Sequence, residues 1–443
     1  MFQGIESVFF TELFERNSDS FASFSPNGFM LACASDSQAL VWSVDTKAIL
    51  HKFICDQPID DIVWSPNSEL IYCHVSKQNS IQVWSVVNLT WRCKIEESPL
   101  SIADVFWAPD SQHLLVVSEF HIKITVWSLV SRSITVIENP KAIKDGVAFS
   151  SCSKYMALVE KKKSEDFVGI YTCDTWEVLK CFPIETNDVA GIYFSPSELI
   201  VGILETPIEK NRILFYCVDG RLLGIYSYVC SSVFTWSPDG KFIAIGDYFR
   251  KVEIISSFDY KKITSYQHPE SVDSKSVIIF KLSSQNSSGV SLSENSSSWE
   301  LFEIVKGRPV SLSALSSQLE KSKHKFQDLR YSSDGQFIAS VNVLMPSILF
   351  IFDTRRLKMS AIVVCPRKIK NISWHPAKPI LAVCSGSNGL NLWTPASCIS
   401  CFPPFREEFL ILQAAWCPTR DCVVLSSRDR SSVLYLPASF SQS

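Results

Sequence analysis

The chain has 443 residues, 46% of them hydrophobic and 12% aromatic, with a formal charge of −3. So balanced a charge gives no basic field for a nucleic-acid backbone; the dense basic clusters are Lys161–Lys163 and Lys321–Lys325 alone. The N-terminus lacks the basic and long apolar stretches of a signal peptide. No apolar run approaches the ~20 residues that span a bilayer. Fifteen cysteines, an odd number and mostly in or beside apolar strands, point to a reducing compartment, where a thiol packs as a small hydrophobe.

In chain order, the first apolar run is an isolated strand, Ser7–Phe14. A phrase then recurs: FSPNGFMLA from Phe24, WSPNSELIY from Trp64, WAPDSQHLL from Trp107, FSSCSKYMA from Phe149 and FSPSELIVG from Phe194. It continues as WSPDGKFIA from Trp236, YSSDGQFIA from Tyr331, WHPAKPILA from Trp374 and WCPTRDCVV from Trp416. The steps between anchors are 40, 43, 42, 45, 42, 95, 43 and 42 residues. Such a period with strand-like content is that of propeller blades, each a four-stranded sheet around a central channel. Short runs rich in Val, Ile, Phe and Trp, bounded by Ser, Pro, Asn, Asp and Gly, supply the strands, and the SPNG or SPDG stretch is the tight turn between first and second.

The 95-residue step holds one full unit and an insertion over residues 269–325. Within it, residues 283–298 contain nine serines and too little apolar surface to offset ordering entropy, so they read as a flexible loop. The flanking runs Val277–Leu282 and Trp299–Val305 are expected to form a hairpin or a degenerate tenth blade. The last unit lacks a fourth strand, which the N-terminal run would supply, sealing the sheet edge. The expected fold is therefore all-β: one closed ring of nine degenerate four-stranded blades spanning residues 1–443. Two packed rings are the alternative.

Catalytic patterns are thin. Cys398-Ile-Ser-Cys401 stands as the single CxxC, without a second pair or a histidine at finger spacing, and reads as a loop with two neighbouring cysteines. Gly386-Ser387-Asn388-Gly389 misses the G-x-S-x-G pattern by one position. No HxH or HExxH occurs. The expectation is no enzyme, no cofactor and no metal site.

The SPDG turns and Trp-ending third strands are of the WD40 type, in a degenerate form. Ser43, Ser85 and Ser128 replace the Asp of the usual Trp-Asp ending. Asp36 keeps the network spacing before Trp42, but the Gly-His that completes the network is absent, so the blades are expected to rely more on apolar packing. Four segments carry a closer resemblance: Ile81–Ile95, Ser118–Leu129, Asn139–Phe149 and Tyr155–Tyr171, with Leu390–Cys398 near the end. They resemble the WD repeat-containing protein eight family, centrosomal WD40 proteins of eukaryotes encoded in mammals antisense to a p53-family gene. The resemblance covers most of the chain and is weakest in the insertion and the first thirty residues.

It implies a non-enzymatic scaffold in the cytoplasm and cytoskeleton, at the centrosome or spindle pole. There it would bind a coiled-coil anchoring protein, tether microtubule minus ends, and support spindle assembly and ciliogenesis, with no nucleic acid and no membrane insertion. A WD40 adaptor of another cytosolic complex, ubiquitin-ligase or translation-factor-like, is the alternative.

Strand parity puts the loops between second and third strands, and the connections between blades, on one face. Glu119, Phe120 and His121 of blade three, Pro140 and Lys141 of the following connection, and Lys161, Lys162, Lys163, Glu165 and Asp166 of blade four are thus the candidate partner-binding residues. Phe120 serves as apolar anchor and the lysines face acidic positions.

Overall fold

In the computed structural model, residues 9–11, 14–15, 22–97, 99–186, 188–206, 211–228, 231–247, 250–282, 299–312, 326–405 and 409–437 are described. They form nine four-stranded blades, with no α-helix among the described residues. Blade one comprises Ser23–Phe24, Met30–Ser35, Gln38–Ser43 and Ile49–Ile54, each antiparallel to the next. Five further blades repeat that order through Lys262–Gln267.

The recurrent phrase is a working part of each blade. In its turn, the Ser25 hydroxyl donates to Asn27 Oδ1 at 2.7 Å, and the same oxygen accepts the Phe29 amide at 3.1 Å. Ser65 with Asn67, Ser237 with Asp239 and Ser332 with Asp334 repeat the device. The residue after the Asx is left-handed: Gly28 at φ 75°, Gly240 at 71° and Gly335 at 69°, where glycine meets no Cβ penalty. Four of the five anchor tryptophans reach across to the preceding blade. Trp64 Nε1 donates to the Ser23 carbonyl at 3.1 Å, Trp107 to Val63 at 3.3 Å, Trp374 to Arg330 at 3.2 Å and Trp416 to Ser373 at 2.8 Å. One indole thus fills the gap between sheets and satisfies its own N–H.

Apolar clusters lie between neighbouring sheets. Ala32 and Val41 of blade one pack with Trp64 and Ile71 of blade two, and Tyr72 and Ile81 of blade two with Trp107 and Leu114 of blade three. The series returns to its start: Cys417, Val424 and Val433 of the last blade share a cluster with Phe24, Leu31 and Cys33 of the first. Tyr435 Oη donates to the Val44 carbonyl at 2.7 Å, and Arg420 pairs with Asp45. Nine blades therefore close one ring, and the two-ring alternative falls.

The last blade holds Gln413–Trp416, Cys422–Ser426 and Arg430–Tyr435. Its fourth position is taken by the N-terminal chain, with Phe9 opposite Tyr435, Phe10 opposite Leu434 and Phe14 opposite Ser431. The Thr11 amide donates to the Val433 carbonyl at 2.9 Å.

The insertion builds no tenth blade. Ile278–Lys281 lies parallel to Lys358–Val364, the outer strand of blade seven, and also pairs with Glu303–Ile304. Trp299–Leu301 runs antiparallel to Cys398–Cys401, the outer strand of blade eight. The two runs meet as a short hairpin that straddles two sheet edges, each of which it covers. Phe280 and Phe302 are both buried in the cluster shared by these blades. Residues 283–298 lie outside the described residues.

Candidate partner-binding face

Blade three turns from its second to its third strand through the tight loop Glu119–His121. Phe120 (φ 59°) and His121 (φ 52°) are both left-handed, a conformation that disfavours bulky side chains and marks a locally held loop. The Ser118 hydroxyl and the backbone of Lys123 tie its base at 3.1 Å in both directions. Phe120 is 76% exposed and Ile122, two residues on, 52% exposed.

The connection that follows is hydrogen-bonded to both neighbours. Asn139 N donates to the Ile122 carbonyl at 3.1 Å, Lys141 N to Val159 at 2.8 Å, and Lys161 N to Asn139 at 3.0 Å. The three segments singled out from sequence thus lie side by side. In blade four the second and third strands, Tyr155–Lys162 and Glu165–Thr172, run eight residues each, against six for the second strands of blades one to three. Lys163 (φ 50°) and Ser164 (φ 71°) make the two-residue turn that such a hairpin requires. Two extra residues lift this tip by about 7 Å.

The ten candidates divide by exposure. Glu119, Phe120, Lys161, Lys163 and Glu165 are exposed, and His121 and Lys162 half-buried. Pro140, Lys141 and Asp166 are buried and belong to the interior, a correction to their reading as contact residues. The Lys141 ammonium donates to Asp166 Oδ2 at 2.6 Å, to the Val189 carbonyl at 3.1 Å and to Asp188 Oδ1. Asp166 Oδ2 also accepts the Val189 amide at 3.0 Å. One buried cation therefore knots the connection before blade four, its third strand and the connection after it. Partial burial alone would raise the Asp188 carboxyl, but the Lys141 ammonium and Thr206 hydroxyl outweigh it and hold the group below its ordinary value.

Lys162 is likewise engaged, at 2.5 Å from Glu160 Oε2. A cavity of about 170 Å³ opens beside the knot, lined by His121, Pro140, Lys144, Asp104 and Phe106 among others. Ile122 and Lys144 were not singled out from sequence. Ile122 reads there as the start of an alternating strand, and only its position at the end of a left-handed loop exposes it.

The Lys141 knot also corrects the expectation that apolar packing substitutes for the missing Gly-His network. Other polar latches occupy equivalent places: Asn79 accepts the Ile102 amide at 2.7 Å, and Arg212 is bidentate to Glu205 at 3.0 Å. Buried His268 contacts Ser340 Oγ through Nε2 at 2.8 Å. Cys398 and Cys401 lie in a fully buried strand, not a loop; burial pushes Cys401 up to about 12 and Cys398 well above its ordinary value, the state of inert core thiols. Among the described residues no group of three His, Cys, Asp or Glu is placed to hold a metal, and no helix is long and apolar enough to cross a membrane.

Mouse WD repeat-containing protein WRAP73 is 32% identical over 436 residues, which cover 93% of this chain and 93% of that protein. The chain belongs to the WRAP73 family of WD-repeat proteins. An uncharacterized WD repeat-containing protein of Schizosaccharomyces pombe, C32H8.09, is 23% identical over 401 residues, 84% of this chain and 78% of that one. No protein-family model matches. Among solved structures, a eukaryotic initiation factor superposes at a TM-score of 0.59 with 15% identity, over 91% of this chain and 90% of its own. The C-terminal WD40 domain of Sif2 gives 0.51 with 12% identity, over 98% and 100%. These two share the WD40 propeller fold and nothing more is read from them. Membership of that family supports a scaffold or protein-interaction role, which the fold alone does not decide.

Proposed function

We propose that this chain is a non-enzymatic scaffold of the centrosome or spindle pole. It binds a coiled-coil anchoring protein, helps tether microtubule minus ends, and supports spindle assembly and cilium formation. The observation that carries this reading is WRAP73-family kinship over 93% of the chain, joined to the resemblance of blades two to four to centrosomal WD40 proteins. The face just described fits such a partner. Phe120 and Ile122 offer an exposed apolar pair, and Lys161 and Lys163 stand on the raised hairpin beside them, the pattern of an amphipathic helix with acidic flanks. The likeness to an initiation factor is one of fold, so it adds no weight to an adaptor role in another complex.

The test uses full-length tagged protein in dividing cells, with Phe120→Ala combined with Lys161→Glu and Lys163→Glu. Lys162 is left intact because it neutralises Glu160. Wild-type protein is expected in pericentriolar foci and in complex with the coiled-coil partner, and the folded triple variant in neither. Retention of both would move the contact elsewhere on the ring; diffuse wild-type protein would refute the scaffold reading.

A further inference from the structure

Blade two carries a cleft on the opposite rim from Phe120. The cleft, of about 850 Å³, opens between the outer edge of blade two and the turn of blade three, lined by Trp91, Arg92, Trp127 and Arg132 among others. Its two carboxylates are already engaged, Glu69 by the Asn67 amide at 3.0 Å and Asp110 by His113 at 2.6 Å. Trp91 and Trp127 are half-buried in its wall, and Val130 is 71% exposed at its lip. Among the described residues no carboxylate pairs with Arg92 or Arg132, both exposed. Lys94 is engaged by Glu96 at 2.7 Å. Burial pushes the Cys93 thiol up while the Arg132 guanidinium works against it.

The strand forming this wall, Arg92–Glu96, is the unpaired edge of its sheet. The Ser85 amide donates to the Trp91 carbonyl at 3.3 Å, so Cys93 and Ile95 are the next bonded partners, of Val83 and Ile81. By antiparallel alternation the N–H and C=O groups of Arg92, Lys94 and Glu96 face outward. The same molecule shows what such edges accept: blades seven and eight each take an extra strand from the insertion, one parallel and one antiparallel.

We propose that the outer strand of blade two accepts an extended acidic peptide of another protein as a fifth strand, its apolar side chains entering the cleft between Trp91, Trp127 and Val130. Arg92 and Arg132 select the acidic residues, and the outward amides supply the ladder. The site does not depend on the centrosomal reading; it rests on the edge, the cleft and the two arginines.

A random peptide library displayed on phage and panned on the full chain tests this. Enriched peptides are expected to alternate acidic and apolar residues, and to bind the Arg92→Glu, Arg132→Glu variant at least about tenfold more weakly. Lys94→Pro removes one outward N–H at a position where an edge strand tolerates proline; it is expected to lose the peptides, while Lys94→Ala keeps them. Selection of no peptide class, or of neutral or basic peptides, overturns the proposal. So does equal binding to the charge-reversed variant, or Lys94→Pro behaving as Lys94→Ala with its melting temperature unchanged. A dimer of the chain that Lys94→Pro dissolves would assign the edge to a second copy and also overturn it.

Discussion

Lys141 shows how far a residue's role depends on partners distant in sequence. Its chain neighbours, Pro140 and Ala142, mark a surface connection, and its acidic partners lie 25 and 47 residues away, one in a strand of blade four and one in the connection that follows. Strand parity made its face readable, but nothing local signalled its burial. Replacing it with Met leaves Asp166 in the interior without its counter-charge, a change that costs about 3–5 kcal/mol; urea unfolding of Lys141→Met measures it, and a loss below about 1 kcal/mol would mean the knot is solvent-screened. His268 makes a second case. Burial, aided by Arg250, holds its imidazole down at about 3, and it stacks on Phe350 at 4.0 Å. Because the folded value lies below the unfolded one, its contribution is complete above about pH 6.5 and declines as pH falls toward 3. Between about pH 6.5 and pH 5 the unfolded chain takes up the proton that the folded chain refuses, a loss of about 2 kcal/mol. His268→Gln should flatten the pH dependence of stability in that window by about that amount; an unchanged slope would show that the site opens to water.

Among elements, those with local chemistry were the legible ones. Each SPNG or SPDG turn carries its own hydrogen bonds, so nine anchors gave nine blades. The apolar runs flanking residues 283–298 were equally visible as strands, but their partners were not. Pairing with blades seven and eight is set by edges contributed by residues 358–364 and 398–401, which leave no mark on the insertion itself. For the same reason Cys398–Cys401 read as a loop: the strand that covers it comes from far upstream. Phe302, buried between these blades, should cost ~3–5 kcal/mol on change to Ala, measured by denaturant unfolding. Replacing residues 283–298 with a short Gly-Ser linker should cost less than about 1 kcal/mol, because closure entropy varies slowly with length. A large loss from the linker, with little from Phe302→Ala, would invert this account of what anchors the insertion.

At the scale of the whole molecule, the ring is joined by the strand from the N-terminus. Deleting residues 1–15 should remove the outer ladder of Arg430–Tyr435, strip Phe10 from its cluster and leave the last blade with an open edge. Limited proteolysis should then cut the chain within the last blade, and the protein should aggregate on size exclusion; an unchanged melting temperature would refute the role given to this strand. The junction also sets the order in which the molecule can be finished. Thr11 and Ser432, in contact across it, are 421 residues apart. At roughly 5–20 residues per second of synthesis, the first strand leaves the ribosome some 20–90 s before its partner exists. Through that interval it is an apolar segment with no sheet to join, while the blades behind it form and stack. A strand made early is thus among the last to find its place, and its apolar residues stay unpaired until the final blade exists.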